Sequence, residues 1–174
     1  MAGQIVKIFQ FYGYALIQIL IEPKRFFTEL PDNASLIVSL GFCTVCSLFY
    51  TGASLLTGGY DDLSIMGGVF FLGSLGMAFV SSLISYITMI LTINRKTGFE
   101  MIFSIHAFSS GIILLISWVS FFFWFTEIWK WWLVYTGLRN AGRISAAPAC
   151  LILFMTVTVH FFLLFYLYPV FFRI

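Results

Sequence analysis

Charge is the scarcest property of this chain. Only 9% of its 174 residues are Asp, Glu, Lys or Arg, against about 25% in a soluble domain. Nine basic and seven acidic side chains leave a net charge of +2. That is too little to hold a phosphate backbone, so nucleic acid is not expected as a partner. Histidine is rarer still: His106 and His160 are the two in the sequence. With three cysteines, no His/Cys/carboxylate cluster stands at the spacing that three or four metal ligands require. Three cysteines also make no disulfide framework. Cys43 and Cys46 form a C-x-x-C, but inside an uncharged apolar run they read as buried thiols packing as small residues. Cys150 stands alone. A Gly-rich phosphate loop, a nucleophile elbow and an H-E-x-x-H are all absent. The chain is therefore not expected to be an enzyme or to carry a cofactor or metal.

What fills the space left by charge is apolar. Hydrophobic residues make up 61% of the chain, with twenty-two Phe, eight Tyr and five Trp. A folded chain of this size leaves too much of its area in water to hide so much apolar surface. The solvent must be lipid, and the partner that every face meets is the bilayer. The expected fold is all-α: a polytopic membrane helical bundle of five transmembrane helices preceded by an interfacial amphipathic helix.

Residues 34–56 run 23 residues without a charge, enough to cross a hydrocarbon core of about 30 Å. A turn at Asp61-Asp62 follows. Residues 63–93 give another 31 uncharged residues, long enough to tilt or to project from the membrane. The third span is expected at 101–120, the fourth at 121–138 and the last at 144–171. One long third helix with an interfacial tail is the alternative for 101–138. The positive-inside rule separates them. With five spans Lys7, Lys24, Arg25, Arg95, Lys96, Arg139 and Arg143 all fall on one side; with four, Arg139 and Arg143 fall on the wrong one. The N-terminus is then cytoplasmic and the C-terminus, with Arg173, external.

Residues 1–33 form a separate unit. Gln4, Lys7, Tyr14, Gln18 and Glu22 recur at helical spacing as one polar stripe, the pattern of a helix lying in the interface with Lys7 toward headgroups. A true span is the rival for this segment. Its interrupting polar residues, and the charged Glu22 to Arg25 where a cleavage site would fall, argue against a cleaved signal. Glu22 to Asp32 reads as a polar elbow broken by Pro23 and Pro31.

This layout resembles the Yip family, the Ypt/Rab-interacting multispanning membrane proteins, in its short prokaryotic form. The residues that carry the resemblance are Pro23 with Phe26-Phe27 ahead of five spans, Ile128-Trp129 in the fourth, Gly137-Leu138 before a short polar turn, and Ser145-Ala146-Ala147 leading into the last. The resemblance covers nearly the whole chain. It implies a role in trafficking or membrane organisation for eukaryotic members. The long soluble N-terminal region of those members has no counterpart in residues 1–33, so GTPase binding is not carried over. A Pro that many prokaryotic members place between the third and fourth spans is also missing.

Three features could carry function. Glu127 and Lys130, three apart in an apolar helix, read as an internal ion pair, or as part of a polar path for ions or protons. By depth from the span ends Glu127 should lie near His160, giving a polar cluster of Glu127, Lys130 and His160, with His106 too shallow to join it. His106 shares a stripe with Ser109, Ser110 and Ser117, and such groups often join helices by hydrogen bonds. Gly67, Ser74, Ala78, Ser81 and Ser85 line one face of the second span, where another helix, internal or from another subunit, could approach closely. Two functions fit. The first is a non-catalytic scaffold or accessory subunit associating with other membrane proteins or with itself. The second is a component of a lipid, ion or small-solute transport complex.

Overall fold

The computed structural model describes residues 2–30, 35–93 and 97–171. It is all-α, with seven α-helices: α1 Ala2–Ile21, α2 Pro23–Glu29, α3 Leu36–Gly58, α4 Leu63–Ile93, α5 Phe99–Leu114, α6 Phe123–Asn140 and α7 Ala146–Phe171. A single 3-10 turn, Ser120–Phe122, joins α5 to α6. Among the described residues three helices are long and apolar enough to cross a membrane: α3, α4 and, within α7, Ala146–Leu163. The chain is a multi-pass membrane protein. The expected second span, 63–93, coincides with α4. The expected third is shorter, because α5 ends at Leu114 and residues 115–119 form turns.

α5 is the axis of the bundle. It packs against α3, α4 and α6, and from Met101 to Ile113 every residue except Ser110 is buried. A helix enclosed on all sides has no lipid-facing stripe to write into its sequence, which is why its apolar pattern looks uniform. Close approach depends on two glycines. Phe42 and Cys46 of α3 occupy the space beside Gly111, and Ile105 and Phe27 the space beside Gly137.

The polar elbow expected after residue 21 is instead a helix. Pro23 sits in the first turn of α2, where its missing N–H would be unpaired anyway. α2 buries Phe26 and Phe27 against Phe108 and the α6 surface, in the same apolar cluster as Ala15 and Ile19 of α1. Part of the polar stripe of α1 meets α2. Gln18 is only 8% exposed, and its Nε2 donates to Glu29 Oε2 at 3.1 Å, as does the Tyr14 hydroxyl at 3.2 Å. Glu29 further accepts from Arg25 Nε at 2.7 Å. Arg25, then Gln18, holds the Glu29 carboxyl below its ordinary value. Two members of the stripe, Tyr14 and Gln18, thus bind Glu29 of α2, because one carboxylate offers enough acceptor sites for all three donors. Ile17, Leu20 and Ile21 are exposed, and Ile17 and Ile21 line one shallow cavity with Tyr14, Gln18, Glu22 and Arg25. Pro31, Asp32, Arg95, Lys96 and Arg173, and the side chain of Lys7, lie outside the described residues.

Candidate intramembrane polar centre

The polar side chains of four helices meet beside α5. On α4, Ser81 and Ser85 stand one turn apart; on α7, Thr156 and His160 do the same. His106 lies about 11 Å along α5, Ser85 about 12 Å from the end of α4 and Thr156 about 15 Å along α7 at 1.5 Å per residue, so antiparallel neighbours bring all three to one level. Ser85 Oγ is 2.8 Å from His106 Nε2 and 2.8 Å from Thr156 Oγ1. Ser81 Oγ is 2.9 Å from His160 Nδ1. All five side chains are buried.

Proton counting gives this chain a direction. Thr156 donates its hydroxyl proton to the Ile152 carbonyl at 2.7 Å, so it accepts from Ser85. Ser85 has then used its only proton and must accept from His106. The neutral His106 tautomer assigned by this network carries its hydrogen on Nε2. The run is His106 Nε2–H to Ser85, Ser85 to Thr156, and Thr156 to the α7 backbone.

On α6, Lys130 Nζ lies 2.7 and 2.6 Å from the two oxygens of Glu127. Lys130 also sits over the Trp131 ring, 4.7 Å from its centroid. Trp131 in turn meets the His160 ring edge-to-face at 5.2 Å. Glu127 and Lys130 therefore form an internal pair; His160 contacts Ser81, Trp131 and Phe161 and lies within electrostatic reach of Lys130. His106, expected to lie too shallow, is drawn in because Ser85 and Thr156 stand one turn from Ser81 and His160 and bridge the difference in depth. Ser109 is buried on α5 with no hydroxyl partner, while Ser117 belongs to a cavity at the end of the bundle. Two imidazoles with hydroxyl neighbours are a poor metal site, and among the described residues no three His, Cys, Asp or Glu side chains converge.

The Yip1 domain model matches residues 17–168, from within α1 to within α7. The chain belongs to the Yip1-domain family. That is a family of non-enzymatic membrane proteins, and the match takes in every residue of the polar centre. Searches of curated proteins and of solved structures return no match.

Within this Yip1 domain the small-residue face of α4 serves several internal neighbours in turn. Gly67 lies against Leu55 of α3. Ser74 turns its hydroxyl to its own Phe71 carbonyl. Ala78 packs with Cys43 of α3 and with Phe103 and Ala107 of α5. Ser81 and Ser85 then hydrogen-bond to α7 and α5. Cys43 and Cys46 are buried free thiols and Cys150 is exposed. What the sequence did not reveal is that these serines are hydrogen-bonding groups. Their i, i+4 spacing on one face, matched by Thr156 and His160, is the signal that could have found them.

Proposed function

We propose that this Yip1-domain protein is a non-catalytic scaffold or accessory subunit for other membrane proteins. The observation that carries the reading is that the polar centre is closed upon itself. His106, Ser85, Thr156, Ser81 and His160 are each other's partners, and Lys130 is held by Glu127. Groups so paired fix helices against one another, while the buried Ser109 hydroxyl and the Trp131 ring N–H beside them have no partner. Five crossings fit the same reading. Tyr50, Ser54 and Tyr60 around the α3–α4 turn share one cavity with Ser117, Trp118 and Trp124 around the α5–α6 turn, so α5 and α6 reach the level at which α3 and α4 turn. The aromatic side chains there suit a membrane interface. At the other end α1 and α2 form a cytoplasmic platform, riveted to the bundle by Phe26 and Phe27, whose charged outer face of Glu22, Lys24 and Arg25 is available to partners. The orientation has the N-terminus cytoplasmic and the C-terminus external, in an inner membrane of prokaryotic type.

Affinity isolation in mild detergent tests this reading. A membrane protein should co-purify in constant ratio and be lost when Lys24 and Arg25 are replaced by Glu. Recovery of the chain alone, with ion or lipid movement after reconstitution, would instead favour a transport component, the reading that the buried His106, His160 and Lys130 support.

A further inference from the structure

At the end of the bundle opposite α2, the α3–α4 and α5–α6 turns enclose a cavity of about 610 Å³, open on one side. We propose that this cup binds a nonionic sugar or polyol group, of the kind carried by a lipid headgroup. Its volume lies within the roughly 300–1,000 Å³ of small-molecule sites. Tyr50, Tyr60 and Phe70 form one wall, with Phe70 5.3 Å from Tyr60 and 6.0 Å from Tyr50, both edge-to-face. Trp118 and Trp124 stand on the other side. The Trp118 ring is fixed by its Nε1, which donates to the Leu115 carbonyl at 3.0 Å.

Between these walls the polar groups are hydroxyls: Ser54 and Thr57 on α3, Ser117 after α5, and the two tyrosines. Among the described residues no Asp, Glu, Lys, Arg or His lines the cup. Two carboxylates follow Tyr60 in sequence; neither lines the cup, and Asp62 accepts from the Ser64 and Ile65 amides and caps α4. A phosphate or carboxylate would enter without a cation to meet it. A quaternary ammonium could use the aromatic faces but would leave the hydroxyls unused. A sugar uses both, because its C–H face stacks on aromatic rings and its hydroxyls donate and accept as Ser and Thr do. One turn below Ser54 on the same face of α3, Thr51 is buried with a hydroxyl that has no partner, and Ser47 repeats this another turn down. The polar character of the cup therefore continues inward past its floor.

The test uses the full chain in nanodiscs of phosphatidylethanolamine and phosphatidylglycerol, purified without sugar-based detergent. Retention of a monoglucosyl diacylglycerol is read by native mass spectrometry, with diacylglycerol and phosphatidylcholine as comparisons and methyl glucoside as competitor. The proposal expects retention of the glucosyl lipid above both comparisons. It also expects roughly tenfold weaker retention in the Ser54→Ala/Ser117→Ala variant, which loses two hydroxyls at little change in volume, and loss in Trp118→Ala. A monodisperse elution profile is required of both variants. Methyl glucoside that binds directly but does not discriminate lipids assigns the cup to a free sugar. Equal retention of all three lipids, stronger retention of phosphatidylcholine, or well-folded variants that bind as the parent does would overturn it.

Discussion

Replacing Ser85 by Ala removes the middle of the His106–Ser85–Thr156 chain, and the structure sets what that should cost. Two interhelical hydrogen bonds of 2.8 Å disappear; in membrane bundles each contributes about 0.6 kcal/mol on average and up to about 1.7. The larger part comes from what remains. His106 is buried, and its Nε2–H would lose its acceptor where no water reaches it, a penalty of about 1–3 kcal/mol. With the average bond value these give about 2–4 kcal/mol, roughly a 30- to 700-fold shift in the unfolding equilibrium. Thr156→Val is the informative partner. It removes only the terminal acceptor, and the freed Ser85 proton can turn to a carbonyl of its own helix, so about 0.5–1 kcal/mol is expected. Steric trapping in bicelles would measure both, and the Ser85→Ala/His106→Phe double variant should cost less than the sum of its singles. A Ser85→Ala loss below about 0.5 kcal/mol, with additive singles, would refute the directed chain.

Three further outcomes follow from the geometry. Lys130→Met should cost about 3–5 kcal/mol by stranding Glu127, and adding Glu127→Gln should recover most of it; the same trapping assay checks this, and equal losses in single and double variants would contradict it. Gly137→Ala would set a methyl 2.5 Å from Ile105 Cγ2 and 3.2 Å from the Phe27 ring, so about 1–3 kcal/mol of overpacking is expected, with trypsin cleavage at Lys24 or Arg25 accelerated as α2 lifts. The Glu29 carboxyl, held below its ordinary 4.5 by Arg25 and Gln18, contributes stability that is present above that value and lost as pH falls through the depressed one. A spin label at Ile17 should therefore gain mobility only below about pH 4.5, and Glu29→Gln should show the mobile spectrum at neutral pH; mobility independent of pH would contradict the latch.

The bundle was legible because its longest helices are uninterrupted apolar runs: the 63–93 run is α4 to the residue. The polar stripe of α1 was legible as a stripe, but the partner of Tyr14 and Gln18 was not. A pattern of Tyr14, Gln18 and Glu22 is the same whether it meets headgroups or a neighbouring carboxylate, and Glu29 lies in a helix that Pro23 seemed to forbid. The Glu127–Lys130 pair was readable from its spacing alone, being local to one helix turn. The His106 network was not, since the rotation of α4, α5 and α7 about their axes decides which serine meets which histidine. Depth along each span constrained the level but not the facing.

If α5 and α6 both cross, as proposed, the chain has five spans with its N-terminus inside. Paired reporter fusions after residues 60, 97, 141 and 174, one reporter active only in the cytoplasm and one only outside, test it most directly. The account predicts external activity at 60 and 174 and cytoplasmic activity at 97 and 141. Activity of the same sidedness at 97 and 174 would contradict it.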